Sequence, residues 1–192
     1  HLQRGEGAAS LRALEELHRR LEGVGTGART LVSRSDATVV GLVADRIEAP
    51  ADLTAAFAGF LGERLQYVVV RDLGRGLELL GQLRNDERGR ANIIALHPPY
   101  VAGAARSPAL TEPGVLGRLA DRLSYAAQDE SLVRSLVGDA VLVDTPERAL
   151  SLSARHPGIT AVALDGTVAR ADGVGSGGSG DDVASAMVEQ KR

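Results

Sequence analysis

The chain has 192 residues, 44% of them hydrophobic and only 3% aromatic, which is enough apolar mass for one domain or two small ones with a core of Leu, Val, Ile and Ala. A net charge of −3 excludes a wholesale basic coat for nucleic acid, and the basic residues are arginine except for Lys191, so only a local arginine patch is left open. The absence of cysteine excludes disulfides, thiolate zinc sites and cysteine nucleophiles. No apolar run approaches the roughly 20 residues that cross a bilayer, and no secretion-type apolar segment opens the sequence. The expectation is a soluble intracellular protein.

Residues 1–26 read as a helix that stops. Leu14, Leu17, Leu21 and Val24 have heptad-like spacing, with Glu15, Glu16, Arg19 and Arg20 on the outer face. Gly23, Gly25 and Gly27 are expected to end it.

The centre of the chain repeats itself. Val39-Val40-Gly41-Leu42-Val43-Ala44-Asp45-Arg46-Ile47 returns as Val115-Leu116-Gly117-Arg118-Leu119-Ala120-Asp121-Arg122-Leu123, at an offset of 120 − 44 = 76. The register holds from Leu61-Gly62 to Val137-Gly138. It shortens to 73 between Val68-Val69-Val70 and Val141-Leu142-Val143, and to 68 between Ala95-Leu96 and Ala163-Leu164. Slips that always shorten the second copy point to a duplicated unit whose connections have lost length.

Each unit predicts strand, helix, strand, helix, strand. The first strand covers 39–47 or 115–123. A helix follows with Leu53, Ala56, Phe57, Phe60 and Leu61 on one face and Asp52 as its N-cap, or with Leu132, Val133, Leu136 and Val137. A β-branched strand covers 67–70 or 140–143. The second helix opens at Asp72, or at Thr145-Pro146 with its capping hydroxyl and N1 proline. The last strand covers 92–96 or 160–164. Between the units, residues 97–114 carry Pro98, Pro99, Pro108 and Pro113 and read as an irregular connection. After the second unit Leu164-Asp165-Gly166-Thr167-Val168 reads as a turn into a strand. A glycine cluster from Gly173 to Gly180 follows, then a restarting helix with Val183 and Met187 on one face. The fold class is therefore α+β (mixed α/β), two pseudo-symmetric subdomains each a small sheet with helices.

No catalytic constellation stands out. His1, His18, His97 and His156 share no metal-binding spacing, the serines lack a nucleophile elbow, and a P-loop needs a lysine that the sequence has only at 191. Asp45 and Asp121 occupy matching places and are expected to bond backbone, or an arginine of their own unit. Arg71, Arg75, Arg84, Arg88 and Arg90 are near one another in sequence and are the candidate contacts to DNA phosphates.

Gly41 to Glu48 with Gly62 to Val70 resembles the opening of the SMC (structural maintenance of chromosomes) hinge domain. Ala163 to Arg170, followed by Gly173-Val174 and Gly177-Gly178-Ser179, resembles its closing signature. The resemblance implies a division into a coiled-coil stub at 1–26, hinge subdomains at 27–96 and 115–180 joined by 97–114, and a second stub at 181–192, the stubs running antiparallel. It implies a homodimer in which two hinges join two arms, with Gly173, Val174, Gly177 and Gly178 as one contact patch, since glycine lets two backbones approach closely. It also implies weak DNA contact, a cytoplasmic and nucleoid-associated location, and ATP, Mg, kleisin and accessory subunits on head domains that lie outside this chain. No cofactor, metal or catalytic residue is expected within it. Two other readings stay open: a nucleic-acid-binding α/β module in which dimerisation is secondary, and a small-molecule enzyme, which a deep polar pocket between the units would favour.

Overall fold

The computed structural model describes residues 11–12, 24–99, 111–178 and 183–189. The heptad positions Leu14, Leu17 and Leu21, most of the 97–114 connection and Ser179 to Asp182 lie outside them.

The duplication is present in three dimensions. In the first unit the elements are β1 (Val39–Leu42), a single helical turn α2 (Val43–Arg46), β2 (Ile47–Glu48), α3 (Thr54–Leu61), β3 (Val68–Val70), α4 (Leu73–Asn85) and β4 (Ile93–Ala95). They are preceded by α1 (Thr26–Ser33). The second unit repeats the order: β5 (Val115–Arg118), a 3-10 turn (Leu119–Arg122), β6 (Ser124–Tyr125), α5 (Glu130–Val137), β7 (Val141–Val143), α6 (Pro146–Arg155) and β8 (Ala161–Ala163). It then adds β9 (Val168–Ala169) and β10 (Gly175–Ser176), and α7 (Val183–Glu189) follows.

Sheet registers are matched as well. β1 pairs antiparallel with β3 and β3 parallel with β4; β5 and β7, then β7 and β8, do the same. Both β1 and β5 carry a bulge, at Gly41 (φ 123°) and at Gly117 (φ 112°). These glycines break the long first strand expected in each unit. Beyond the bulge the Asp45 carboxylate accepts the Leu42 N–H at 3.1 Å and winds 43–46 into a helical turn. The apolar run thus changes backbone conformation midway while keeping Leu42, Val43, Ala44 and Ile47 buried.

Two expected caps hold and one does not. Asp72 accepts the Arg75 N–H at the start of α4, and Thr145 accepts the Arg148 N–H at the start of α6. Asp52 does not cap α3: Pro50 starts a 3-10 turn over Ala51–Leu53, which places Asp52 inside the turn and leaves Leu53 as the N-cap. Nor does Gly27 end a helix. It is buried within α1, where a Cβ would fall 2.1 Å from the Arg90 carbonyl oxygen, so only glycine lets α1 lie on the loop after α4.

The core is apolar and almost free of aromatic residues. The β3 and β7 valines and Leu142 are fully buried, as expected of central strands bearing a parallel neighbour. Full burial of each such side chain contributes about 1.5–3 kcal/mol. One continuous cluster runs through both units and includes Met187 and Val188 of α7. A second, smaller one lies between the sheet of the second unit and α6.

Candidate dimer interface

The two sheets differ in one respect that the duplication makes visible. The first has three strands in the order β1-β3-β4 and the second five, in the order β10-β9-β8-β7-β5. β8, the counterpart of β4, has its outer side covered by β9 and β10. Among the described residues no strand covers the outer side of β4. β3 takes up the Asn92 carbonyl and the Leu96 N–H on the inner side, so alternation along the strand turns the N–H and C=O of Ile93 and Ala95 outward.

β10 is the other open margin. It forms a hairpin with β9 in which Gly173 (φ 87°) makes the turn, closed by the Arg170 N–H to the Val174 carbonyl at 2.8 Å. Ser176 pairs with Val168 and Gly175 with Ala169, so the polar backbone groups of Gly175 face away from the sheet. Gly173, Val174, Gly177 and Gly178 all lie in this exposed hairpin, Val174 as a 53% exposed apolar side chain. The four candidate residues therefore flank β10, Gly173 and Val174 before it and Gly177 and Gly178 after it. The remaining margins, β1 and β5, are bulged, which disfavours strand addition.

The arginines are not gathered. Arg71 and Arg75 sit at the start of α4, while Arg84, Arg88 and Arg90 sit at or after its end, separated by a 13-residue helix of about 20 Å. Arg75 is engaged by Asp36 at 2.8 Å and by Glu78 at 2.9 Å. A backbone hydrogen bond from Thr38 and then the Arg75 guanidinium hold the Asp36 carboxyl below its ordinary range, and Asp36 and Glu78 in turn raise the Arg75 pKa. Arg71, Arg84, Arg88 and Arg90 are exposed.

The units are fastened by contacts that the sequence does not announce. β2 pairs antiparallel with β6, Ile47 with Tyr125 and Glu48 with Ser124, across the pseudo-two-fold axis. Matching arginines flank this pair and cross it in opposite directions: Arg46 reaches Asp129 of the second unit and Arg122 reaches Asp52 of the first. The Arg46 Nε donates to Asp129 at 3.0 Å, and Nη2 lies 2.9 Å from the same oxygen but off the hydrogen-bonding direction. Asp45 bonds backbone as expected, whereas Arg46 and Arg122 leave their own units. The Asp165-Gly166 turn also packs backbone to backbone on α3 at Gly59.

Both routes by which the polypeptide joins the domain meet at residues 62–66. The Gly25 N–H donates to Gln66 Oε1 at 3.0 Å, and α7 packs on α3 and on this segment.

The SMC proteins Flexible Hinge Domain model matches residues 36–153. The chain belongs to the SMC hinge family. Curated relatives of this hinge include the chromosome partition protein Smc of Myxococcus xanthus, 29% identical over 95% of this chain, and that of Mycolicibacterium paratuberculosis, 30% identical over 77%. The chain spans only 16% and 12% of the length of those proteins. Among solved structures, an asymmetric dimer of the Geobacillus stearothermophilus SMC hinge domain superposes with a TM-score of 0.80 at 20% identity, covering 99% of this chain and 80% of that one. The Pyrococcus furiosus SMC hinge domain gives 0.67 at 22%, covering 88% of each. At these identities the two structures establish the shared fold.

Proposed function

We propose that this chain is the dimerising hinge of a chromosome partition Smc protein, and that the β10 margin of one protomer adds to the β4 margin of the other. The observation that carries this reading is the unequal completion of duplicated sheets: β8 has two further strands on its outer side and β4, built the same way, has none. A two-fold operation that sets β10 of each protomer beside β4 of its partner satisfies both margins twice, a closed and self-complementary arrangement. Gly175, Gly177 and Gly178 keep side chains out of the approach.

That residue 25 and α7 both contact residues 62–66 supports the reading that antiparallel coiled-coil arms leave the hinge from here. In the whole protein those arms lead to ATPase heads, where ATP, Mg, kleisin and accessory subunits act, and the location is cytoplasmic and nucleoid-associated. Weak DNA contact falls to Arg84, Arg88 and Arg90 in this reading, because the five arginines form two groups and Arg75 is already paired.

Sedimentation equilibrium tests the assembly. The 20.0 kDa chain is expected to sediment as a dimer at micromolar concentration. Gly175→Pro removes an outward N–H donor without touching the bonds to β9. The lost hydrogen bond, about 1 kcal/mol net, counts twice in a two-fold dimer and raises Kd by at least ~10-fold. A monomeric parent chain, or an unchanged Kd in a folded variant, contradicts the proposal.

A further inference from the structure

A recess of about 690 Å³ opens where the units meet, with Phe60 and Arg64 from the first and Arg155, His156, Thr160 and Arg170 from the second in its walls. Its base is the convergence of two helix C-termini. The Arg64 guanidinium donates to the carbonyls of Phe60 at 2.8 Å and of Leu136 at 2.9 Å, and so caps α3 and α5 together. One cation suffices to satisfy carbonyls that the helix dipoles make electronegative. A second is nevertheless present: Arg170 donates to the same Phe60 carbonyl at 2.7 Å. The two guanidinium carbons lie 4.9 and 5.2 Å from the centre of the Phe60 ring.

Among the described residues no carboxylate answers this pair of positive charges. Among the described residues neither Arg64 nor Arg170 takes part in an ion pair. Burial first, and then the neighbouring Arg170, push the Arg64 pKa down. Arg170 has one of its five donors committed to Phe60. At the rim stand Arg155 and His156, both held by Glu112. Asp139 is the acid in the wall and is itself engaged.

The geometry points to a phosphate-type oxyanion site in this recess, with Arg170 as the principal ligand over the Phe60 ring, Arg64 as the fixed charge behind it, and Arg155 at the rim. A tetrahedral oxyanion meets the donors left on Arg170 and relieves the repulsion between two arginines. The volume lies within the range of small-ligand pockets, so the phosphate can belong to a free small anion or to a nucleic-acid backbone.

The test uses the whole chain at constant ionic strength. Pyrophosphate is titrated by calorimetry, with sodium chloride as the matched control and a ten-nucleotide oligothymidylate as competitor. Saturable binding of pyrophosphate is expected, weakened at least ~10-fold by Arg170→Gln and more modestly by Arg155→Gln at the exposed rim. Arg122→Gln, a half-exposed arginine outside the recess, should leave it unchanged. Displacement by the oligonucleotide assigns the site to nucleic-acid phosphates; its failure to compete assigns the site to small anions. Absence of saturable binding, or equal binding by the parent chain, Arg170→Gln and Arg155→Gln, overturns the proposal and leaves both arginines as helix caps. Sedimentation of the same samples reports the dimer separately.

Discussion

Gly166→Ala will cost far more stability than Gly158→Ala, although the two glycines have nearly the same backbone conformation, φ 95° and φ 94°. A side chain at Gly158 meets nothing within 4 Å, so that variant carries only the strain of a left-handed residue, about 1–2 kcal/mol. At Gly166 a Cβ falls 2.8 Å from the Ala55 carbonyl oxygen and 3.7 Å from the Cα of Gly59. The contact is mutual: a Cβ on Gly59 falls 2.3 Å from the Gly166 carbonyl oxygen. Both obstacles are backbone, which cannot rotate aside, so α3 and the turn must separate. Overpacking of this kind costs about 1–3 kcal/mol more. Urea midpoints of the two variants measure the difference, and equal losses would show that the close approach is unimportant. The leucine-aspartate-glycine turn of the family signature thereby acquires a physical role: it seats the second unit on the first.

Asp129→Ala is expected to lose about 3–5 kcal/mol, the cost of leaving a buried charge without its partner. The Asp129 side chain is 3% exposed and that of Arg46 18%. The bridge made by the matching arginine provides the control. Arg122 and Asp52 are 3.7 Å apart with side chains 41% and 70% exposed, and exposed pairs contribute at most about 1 kcal/mol. Asp52→Ala should therefore move a thermal or chemical melt little. The double replacement Arg46→Met with Asp129→Leu should recover much of the loss, because apolar packing removes the desolvation penalty along with the attraction. If Asp129→Ala and Asp52→Ala melt alike, the buried bridge does not hold the units together.

The duplication was legible because it rests on local signals: apolar triplets such as Val68 to Val70, caps such as Asp72 and Thr145, and offsets that shift only in loops. The sheet margins were less legible. β9 was signalled by the turn at 164–167, but β10 is two residues long, too short for alternation to show, so the full three-against-five asymmetry emerges only in space. The helical turn at 43–46 was hidden because an apolar run looks alike in either conformation, and what decides it is the Gly41 backbone together with the Asp45 side chain. The glycine segment forms an exposed hairpin, with Gly173 at its turn and Gly177 and Gly178 just beyond the two-residue β10. Pairs such as Gly59 with Gly166, or Arg46 with Asp129, join residues far apart in sequence and leave no local trace. The arginine group failed as a patch for the converse reason, since a helix carries sequence neighbours to opposite ends.

Cross-linking with a short bis-maleimide reads the strand pairing directly, because the chain has no native cysteine to confuse it. Asn92→Cys marks the β4 margin and Ser176→Cys the β10 margin, both at exposed positions. Two-fold exchange of unlike margins predicts that each variant alone gives no cross-link, while the re-equilibrated mixture gives a covalent dimer containing one copy of each. Cross-links within either single variant, or none in the mixture, would contradict it.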